Sequence, residues 1–271
     1  MSHLLREHAP ITEAGWEAID KEARERLLPG LAGRRLVDFS GPHGWDHSAT
    51  NLGRVEDVDL SSVKGVQANR RVVLPLVELR ARFVVSREEL RAGDRGAEDV
   101  DFDALDVAAQ NIVEAENLAV FHSWPKAGID GIGECSPHDA IQSDGSVEMY
   151  PAHVARAVEL LLRKGIAGPY GLALGREEYT RVVESAEHGG YPLLDHLRKI
   201  IEGPIVWAPG VKGAIVLSMR GGDFAFESGQ DLSVGYESHD SDTVTLYLEE
   251  SFSFRVLTPE AAVAISPLAH P

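Results

Sequence analysis

A single cysteine, Cys135, stands in the whole chain, which excludes an intrachain disulfide and any cysteine-rich metal centre. No run of about 18 apolar residues exists, the length a membrane-spanning helix requires. The first residues, with His3, Arg6, Glu7 and His8, lack the apolar stretch of a secretory signal. A cytoplasmic protein without a membrane partner is the expectation. Basic residues are scarce as well: 26 Lys and Arg stand against 43 Asp and Glu, a formal charge of −17. Affinity for phosphate backbones comes from clustered cations, so nucleic acid is excluded as a direct partner. Internal repeats and low-complexity linkers are missing too, and 271 residues can bury a substantial core as one large domain or two small ones.

Signatures of catalysis are equally sparse. Gly131-Ile132-Gly133-Glu134-Cys135-Ser136 is a poor dinucleotide loop, because the third glycine is replaced and no clear strand precedes it; no cofactor is expected. Cys135 and His138 are sequence neighbours outside any nucleophile signature, and the thiol reads as an ordinary, partly buried one. Gly-x-Ser-x-Gly is absent, which leaves His188-Gly189-Gly190 without the nucleophile that an oxyanion loop would serve. His239, Asp240 and Asp242 read as a solvated turn between strands instead of metal ligands, and Gly221-Gly222-Asp223-Phe224 as a β-turn. Neither a catalytic residue nor a metal site is expected.

What the chain does have is pattern. From Thr243 to Leu257, Val244, Leu246, Leu248, Phe252, Phe254 and Val256 share one face, and Thr245, Tyr247, Glu249, Ser251, Ser253 and Arg255 the other, with only Glu250 out of phase. Such a strand would span about 50 Å, two to three times the usual length. Thr12 is a fitting N-cap for a helix to Leu28, stopped by Pro29-Gly30, with Trp16, Ile19, Ala23 and Leu27 on one face. Leu52 to Leu60 and Val72 to Val85 read as the two arms of a hairpin tipped near Gly65, with Val77, Leu79, Ala81, Phe83 and Val85 as an apolar stripe lacking a local partner. Asp101-Phe102-Asp103 opens a helix to about Trp124. Another follows Pro151, with Val154, Val158, Leu161 and Leu162 inward. Short strands at Gly171 to Leu174, Ile205 to Trp207 and Ala214 to Met219 then interleave with helices near Glu177 to Ser185 and Leu193 to Ile201, a mixed α+β segment.

Two distant blocks carry a family resemblance. Arg220-Gly221-Gly222-Asp223-Phe224, Gly229-Gln230-Asp231-Leu232-Ser233-Val234-Gly235-Tyr236-Glu237 and the long strand form one. Ala9-Pro10-Ile11-Thr12-Glu13, then Gly33-Arg34-Arg35-Leu36-Val37-Asp38-Phe39 and Gly41-Pro42-His43-Gly44-Trp45, form the other. With Leu74-Pro75-Leu76-Val77-Glu78-Leu79-Arg80, Gly168-Pro169-Tyr170 and Gly190-Tyr191-Pro192, they resemble the encapsulins, bacterial and archaeal shell proteins related to tailed-phage major capsid proteins. The likeness covers about residues 3 to 265 and is weakest between 90 and 160.

The resemblance implies an α+β chain with the Hong Kong 97-like phage major capsid protein fold. It divides the chain into an N-terminal helix and start of a peripheral domain (1–45), an extended loop (46–85), the peripheral domain with its spine helix (86–132), an axial domain (133–222) and a return to the peripheral domain (223–271). It further implies a non-enzymatic, self-assembling shell of on the order of sixty subunits or a small multiple. Its partner would be a cargo enzyme, peroxidase or ferritin-like, carrying a short C-terminal targeting peptide. Leu27, Leu31, Arg34, Asp38, Leu232, Val234 and Tyr236 are the implied groove for that peptide, the apolar side chains taking its anchors and Arg34 and Asp38 fixing its orientation. Many relatives carry an aromatic residue where Leu27 stands. Glu187, His188, Gly189, Gly190 and Tyr191 are the implied lining of a five-fold pore. A phage or prophage capsid protein is the alternative, against which the acidic charge weighs; a protease-type hydrolase lacks a nucleophile and base.

Overall fold

The computed structural model describes residues 3–59, 63–143, 146–185 and 192–267. From the N-terminus, α1 (Glu13–Leu27) and a short α2 (Ala32–Leu36) lead through β1 (Asp38–Ser40) to β2 (Ala49–Val58), β3 (Ala68–Pro75) and β4 (Val77–Ser86). Next come α3 (Arg87–Asp94), α4 (Asp103–His122), α5 (Ile132–Cys135) and α6 (Tyr150–Arg163). They are followed by β5 (Tyr170–Leu174), α7 (Arg176–Glu184), α8 (Leu193–Ile201), β6 (Ile205–Trp207) and β7 (Ala214–Ser218). The strands β8 (Phe224–Ser228), β9 (Ser233–His239), β10 (Thr243–Val256) and β11 (Ala262–Ile265) complete the order.

Among the described residues the strands fall into three sheets. One runs β1-β8-β10-β4 with β9 also on β10, a second runs β11-β7-β5-β6, and β2 and β3 pair only with each other. The expected long strand is present as β10, 14 residues or roughly 46 Å, one residue shorter than its sequence pattern. Its length lets it pair with β4 over Thr243 to Phe252 and with β8 over Phe252 to Val256. Its polar face is not solvated as alternation suggests. Tyr247, Glu249, Ser251 and Ser253 are buried, because Arg80 lies over the Tyr247 ring at 4.0 Å and Thr50, at the root of β2, closes on Ser253 at 2.5 Å.

Two apolar cores share α4 and β10. One is built from α1, the first half of α4 (Leu105 to Val113), β4 and the start of β10 (Val244, Leu246, Leu248). The other joins Ala119 to Phe121 of α4, Phe252 and Phe254 of β10, and the sheet and helices around β5. α4 acts as the spine of both because its buried stripe runs its full length. Between the cores the stripe turns polar, with Glu116 and Asn117 on α4 beside Glu250 on β10, all buried. A polar seam therefore crosses the molecule.

Two expectations are corrected here. Val72 to Val85 is not one arm of a hairpin: Pro75 ends β3, and Val77 onward forms β4, hydrogen-bonded to β10 in the central sheet. The stripe Val77, Leu79, Ala81, Phe83 and Val85 thus belongs to the subunit's own core, while Ala49–Val58 and Ala68–Pro75 pair with each other in a separate sheet. Of the segment expected as an extended loop, 46–85, residues 77–85 therefore lie in the central sheet. Leu162, expected inward on α6, is 58% exposed, since the buried line of that helix passes through Val154, Ala157 and Leu161.

Candidate functional site

α1 starts at Glu13 because the Thr12 hydroxyl accepts the Gly15 N–H at 3.0 Å, and Ile19, Ala23 and Leu27 then descend one buried line. At its end, Asn117 on α4 gathers the turn. Its side-chain oxygen accepts the Ala32 and Gly33 N–H groups, and its amide donates to the Gly30 and Pro209 carbonyls. This fixes α2 against the spine and aims Arg34 into the seam. There the guanidinium donates to Glu116 at 2.7 Å, Glu250 at 2.6 Å and Asp231 at 2.5 Å.

Above this cluster lies a groove of about 430 Å³ between α1 and the Asp231–Val234 segment. α1 supplies Asp20, Ala23, Arg24, Leu27 and Leu28; Leu31 and Arg34 close one end; Leu232, Val234 and Leu248 form the opposite wall. The N-terminal segment shapes the remaining rim. Arg6 donates through Nε to the Val234 carbonyl at 2.8 Å, pairs with Asp20, and lies over Trp16 at 4.4 Å. The lining combines apolar side chains with the pairs Arg6–Asp20 and Arg34–Asp231 and with Arg24, an arrangement suited to a short extended peptide with apolar anchors.

Burial in the seam acts on its acids. The Glu250 carboxyl titrates well above the usual carboxylate range, because desolvation disfavours its charge and the nearby Glu116 repels it more than Arg34 offsets. Glu116 is raised too, first by desolvation. For Arg34, burial by itself would lower the pKa, but Glu116, Glu250 and Asp231 together outweigh it and the guanidinium holds its proton more firmly than usual.

Five of the seven expected groove residues are brought together: Leu27, Leu31, Arg34, Leu232 and Val234. Two are not. Asp38 accepts the Gly222 N–H at 2.6 Å and anchors that turn, because the chain has passed from α2 into β1 and its side chain points away from Arg34. Tyr236 gives its N–H to the Leu4 carbonyl and its hydroxyl lies 2.6 Å from His239 Nδ1, so it braces the N-terminal segment behind the groove. Arg34 lines the groove with three of its five N–H donors given to protein carboxylates. Lining residues outside the expected set are Leu4, Arg6, Asp20, Ala23, Arg24, Leu28, Asp231, Ser233 and Leu248. Leu248 was visible on the apolar face of β10, but nothing in the sequence marks Leu4 and Arg6.

The remaining motifs have structural roles or fall outside the description. Cys135 is free, and burial, Asp130 and Glu134 push its thiol pKa up, the reverse of an activated nucleophile. His138 Nε2 lies 3.1 Å from the Glu260 carbonyl. Asp240 accepts the Asp242 and Thr243 N–H groups at 2.8 and 2.7 Å, closing the β9–β10 turn. Among the described residues no group of three or more His, Cys, Asp or Glu is placed to hold a metal ion, and no helix is long and apolar enough to cross a membrane. Glu187 to Tyr191 lie outside the described residues.

Comparison with known proteins adds the following. The model of a family described as "Encapsulating protein for peroxidase" matches residues 1–253. A type 1 encapsulin shell protein of Rhodospirillum rubrum is 45% identical over 274 residues, covering 99% of this chain and 98% of its own. Among solved structures, a virus-like particle from Pyrococcus furiosus superposes with a TM-score of 0.61 at 18% identity, covering 92% of this chain and 98% of that one. The capsid of Myoviridae phage XM1 does so with 0.53 at 9% identity, covering 85% and 90%. At such identities the structural likeness speaks for the fold alone, and that fold is the Hong Kong 97-like one.

Proposed function

The chain belongs to the type 1 encapsulin shell family, and on that premise we propose that the groove between α1 and β9 captures a cargo peroxidase by an extended tail. The protein is a shell protein: it forms a nanocompartment, and the enzyme is the enclosed cargo. The finer reading is a closed shell of on the order of sixty subunits or a small multiple, working in the cytoplasm. The projecting pair β2–β3 supports assembly through an arm. Val55, Val58 and Val73 are exposed on it, and a two-stranded ribbon is marginal unless another surface covers it. A neighbouring copy is the cover we assign.

The observation that supports capture is the groove itself, whose lining of apolar and charged side chains includes five of the sequence-selected residues. Each tail can bind weakly, because an oligomeric cargo offering several tails to a concave wall raises their effective concentration. Leu28 and Leu232, the partly or largely exposed anchors, are the residues to change. Leu28→Asp with Leu232→Asp puts charge where apolar anchors dock, and burying an unpaired carboxylate under a tail is strongly unfavourable. Shells of that variant, co-expressed with a reporter protein carrying the peroxidase's C-terminal tail, should assemble but be empty. Unchanged loading in intact variant shells would overturn the assignment. Tyr236→Phe, removing only the hydroxyl beside His239, should load as the parent does.

A further inference from the structure

Glu116 on α4 and Glu250 on β10 meet across the seam, and both side chains are closed off from solvent. Arg34 takes one oxygen of each. The second oxygen of each, Oε1, is buried with no hydrogen-bond partner. Two carboxylates cannot satisfy one another, because an ionised carboxylate only accepts. One proton resolves this: the protonated acid donates to its neighbour, and the excess negative charge around Arg34 falls from two to one.

The surroundings offer no other remedy. Among the described residues, Arg34 from α2 and Asp231 from the β8–β9 turn are the charged groups set against the pair. Asn117, the adjacent buried group on α4, is neutral and committed to four backbone partners. β4 places Leu79 opposite Glu250. Arg6, Asp20 and Arg24 line the rest of the groove, Arg6 and Asp20 paired with each other. Neither acid reaches water, the Glu116 and Glu250 side chains being 0% and 1% exposed.

We infer that Glu116 and Glu250 form a proton-operated latch beneath the groove: the shared proton keeps α4, α2 and β10 drawn together around Arg34, and its loss loosens the groove floor. The sign follows from the raised carboxyls. A carboxyl that titrates higher in the closed state than in the open one stabilises the closed state fully below its ordinary value, near 4.5. That contribution fades as pH climbs through the raised value. Acid therefore tightens the latch and base releases it. If the groove holds the tail as proposed, a tail sealed over Arg34 and Asp231 strengthens proton retention, and by reciprocity its own affinity falls as the proton leaves. Only this last step rests on the cargo reading.

Empty assembled shells suffice for the test. Hydrogen exchange read by mass spectrometry would follow 31–36 and 229–234 from mildly acidic to alkaline pH, normalised to intrinsic rates, with 54–58 as reference. In the parent the opening constant of the two groove segments should rise by up to about tenfold per pH unit above the ordinary carboxyl range and then level off, while the reference stays flat. Glu250→Gln and, as a second variant, Glu116→Gln each leave one neutral donor in the seam and should abolish the rise. A flat parent profile, or an undiminished rise in either assembled variant, would overturn the latch. Because no cargo is present, that result would leave the capture assignment untouched, and normal loading of the groove variants would leave the latch standing.

Discussion

The ribbon β2–β3 and the strand β4 are consecutive in the chain and carry similar apolar residues, yet they bury them very differently. Phe83 and Val85 of β4 are 4% and 2% exposed, whereas Val55 and Val73 of the ribbon are 56% and 45% exposed. The two valines share a face, since Val55 stands opposite Arg71 and Arg71 and Val73 alternate back to the same side. β4 finds its complement in β10, α1 and α4 of its own subunit. The ribbon finds none. Alternation reports that a strand has a face to bury and is silent on which chain will bury it.

The largest effect that would test this contrast is in β4. Phe83→Ala removes a ring from a closed core and should cost about 3–5 kcal/mol of subunit stability, seen as a loss of soluble yield and of denaturant resistance. Parent-like resistance would mean that β4 is not part of the subunit core. In the ribbon the same size of insult should fall on assembly instead. Val55→Asp with Val73→Asp should leave circular dichroism of the subunit unchanged while size-exclusion chromatography shifts from the void volume to small species. Normal shells from that variant would break the comparison. The smallest effect belongs to the ribbon's solvated edge, where Arg70 and Glu56 pair at 2.5 Å. Exposed pairs are screened and contribute little, so Arg70→Ala should leave both shell yield and melting unchanged, and any large loss would place that pair inside an intersubunit contact.

Most elements were legible before any coordinates. The cap at Thr12, the line Ile19, Ala23 and Leu27, the exact span Leu193–Ile201 and the long β10 all follow local rules, in which capping chemistry or a regular period repeats over many residues. The errors arose where local rules have no say. Pro75 was read inside one long strand, although it ends one strand and the next begins two residues later in a different sheet. The family motif groups Asp38 with Arg34 in the groove, although after the helix-to-strand passage at Val37 its carboxylate accepts the Gly222 N–H.

By itself the sequence determined the family, the acidic and cysteine-poor character, the helix and strand periods and, through the family resemblance, half of the groove's apolar lining. These depend on residue type and short-range spacing, which the chain carries explicitly. Only the tertiary structure decided that Glu116, Glu250 and Asp231 converge on Arg34, that Leu4 and Arg6 complete the groove, and that β4 and the ribbon part company. Each of those outcomes joins residues far apart in the chain, 216 positions for Arg34 and Glu250 and 228 for Arg6 and Val234. Which distant partners meet is settled by packing of whole elements, and a local pattern holds no record of it.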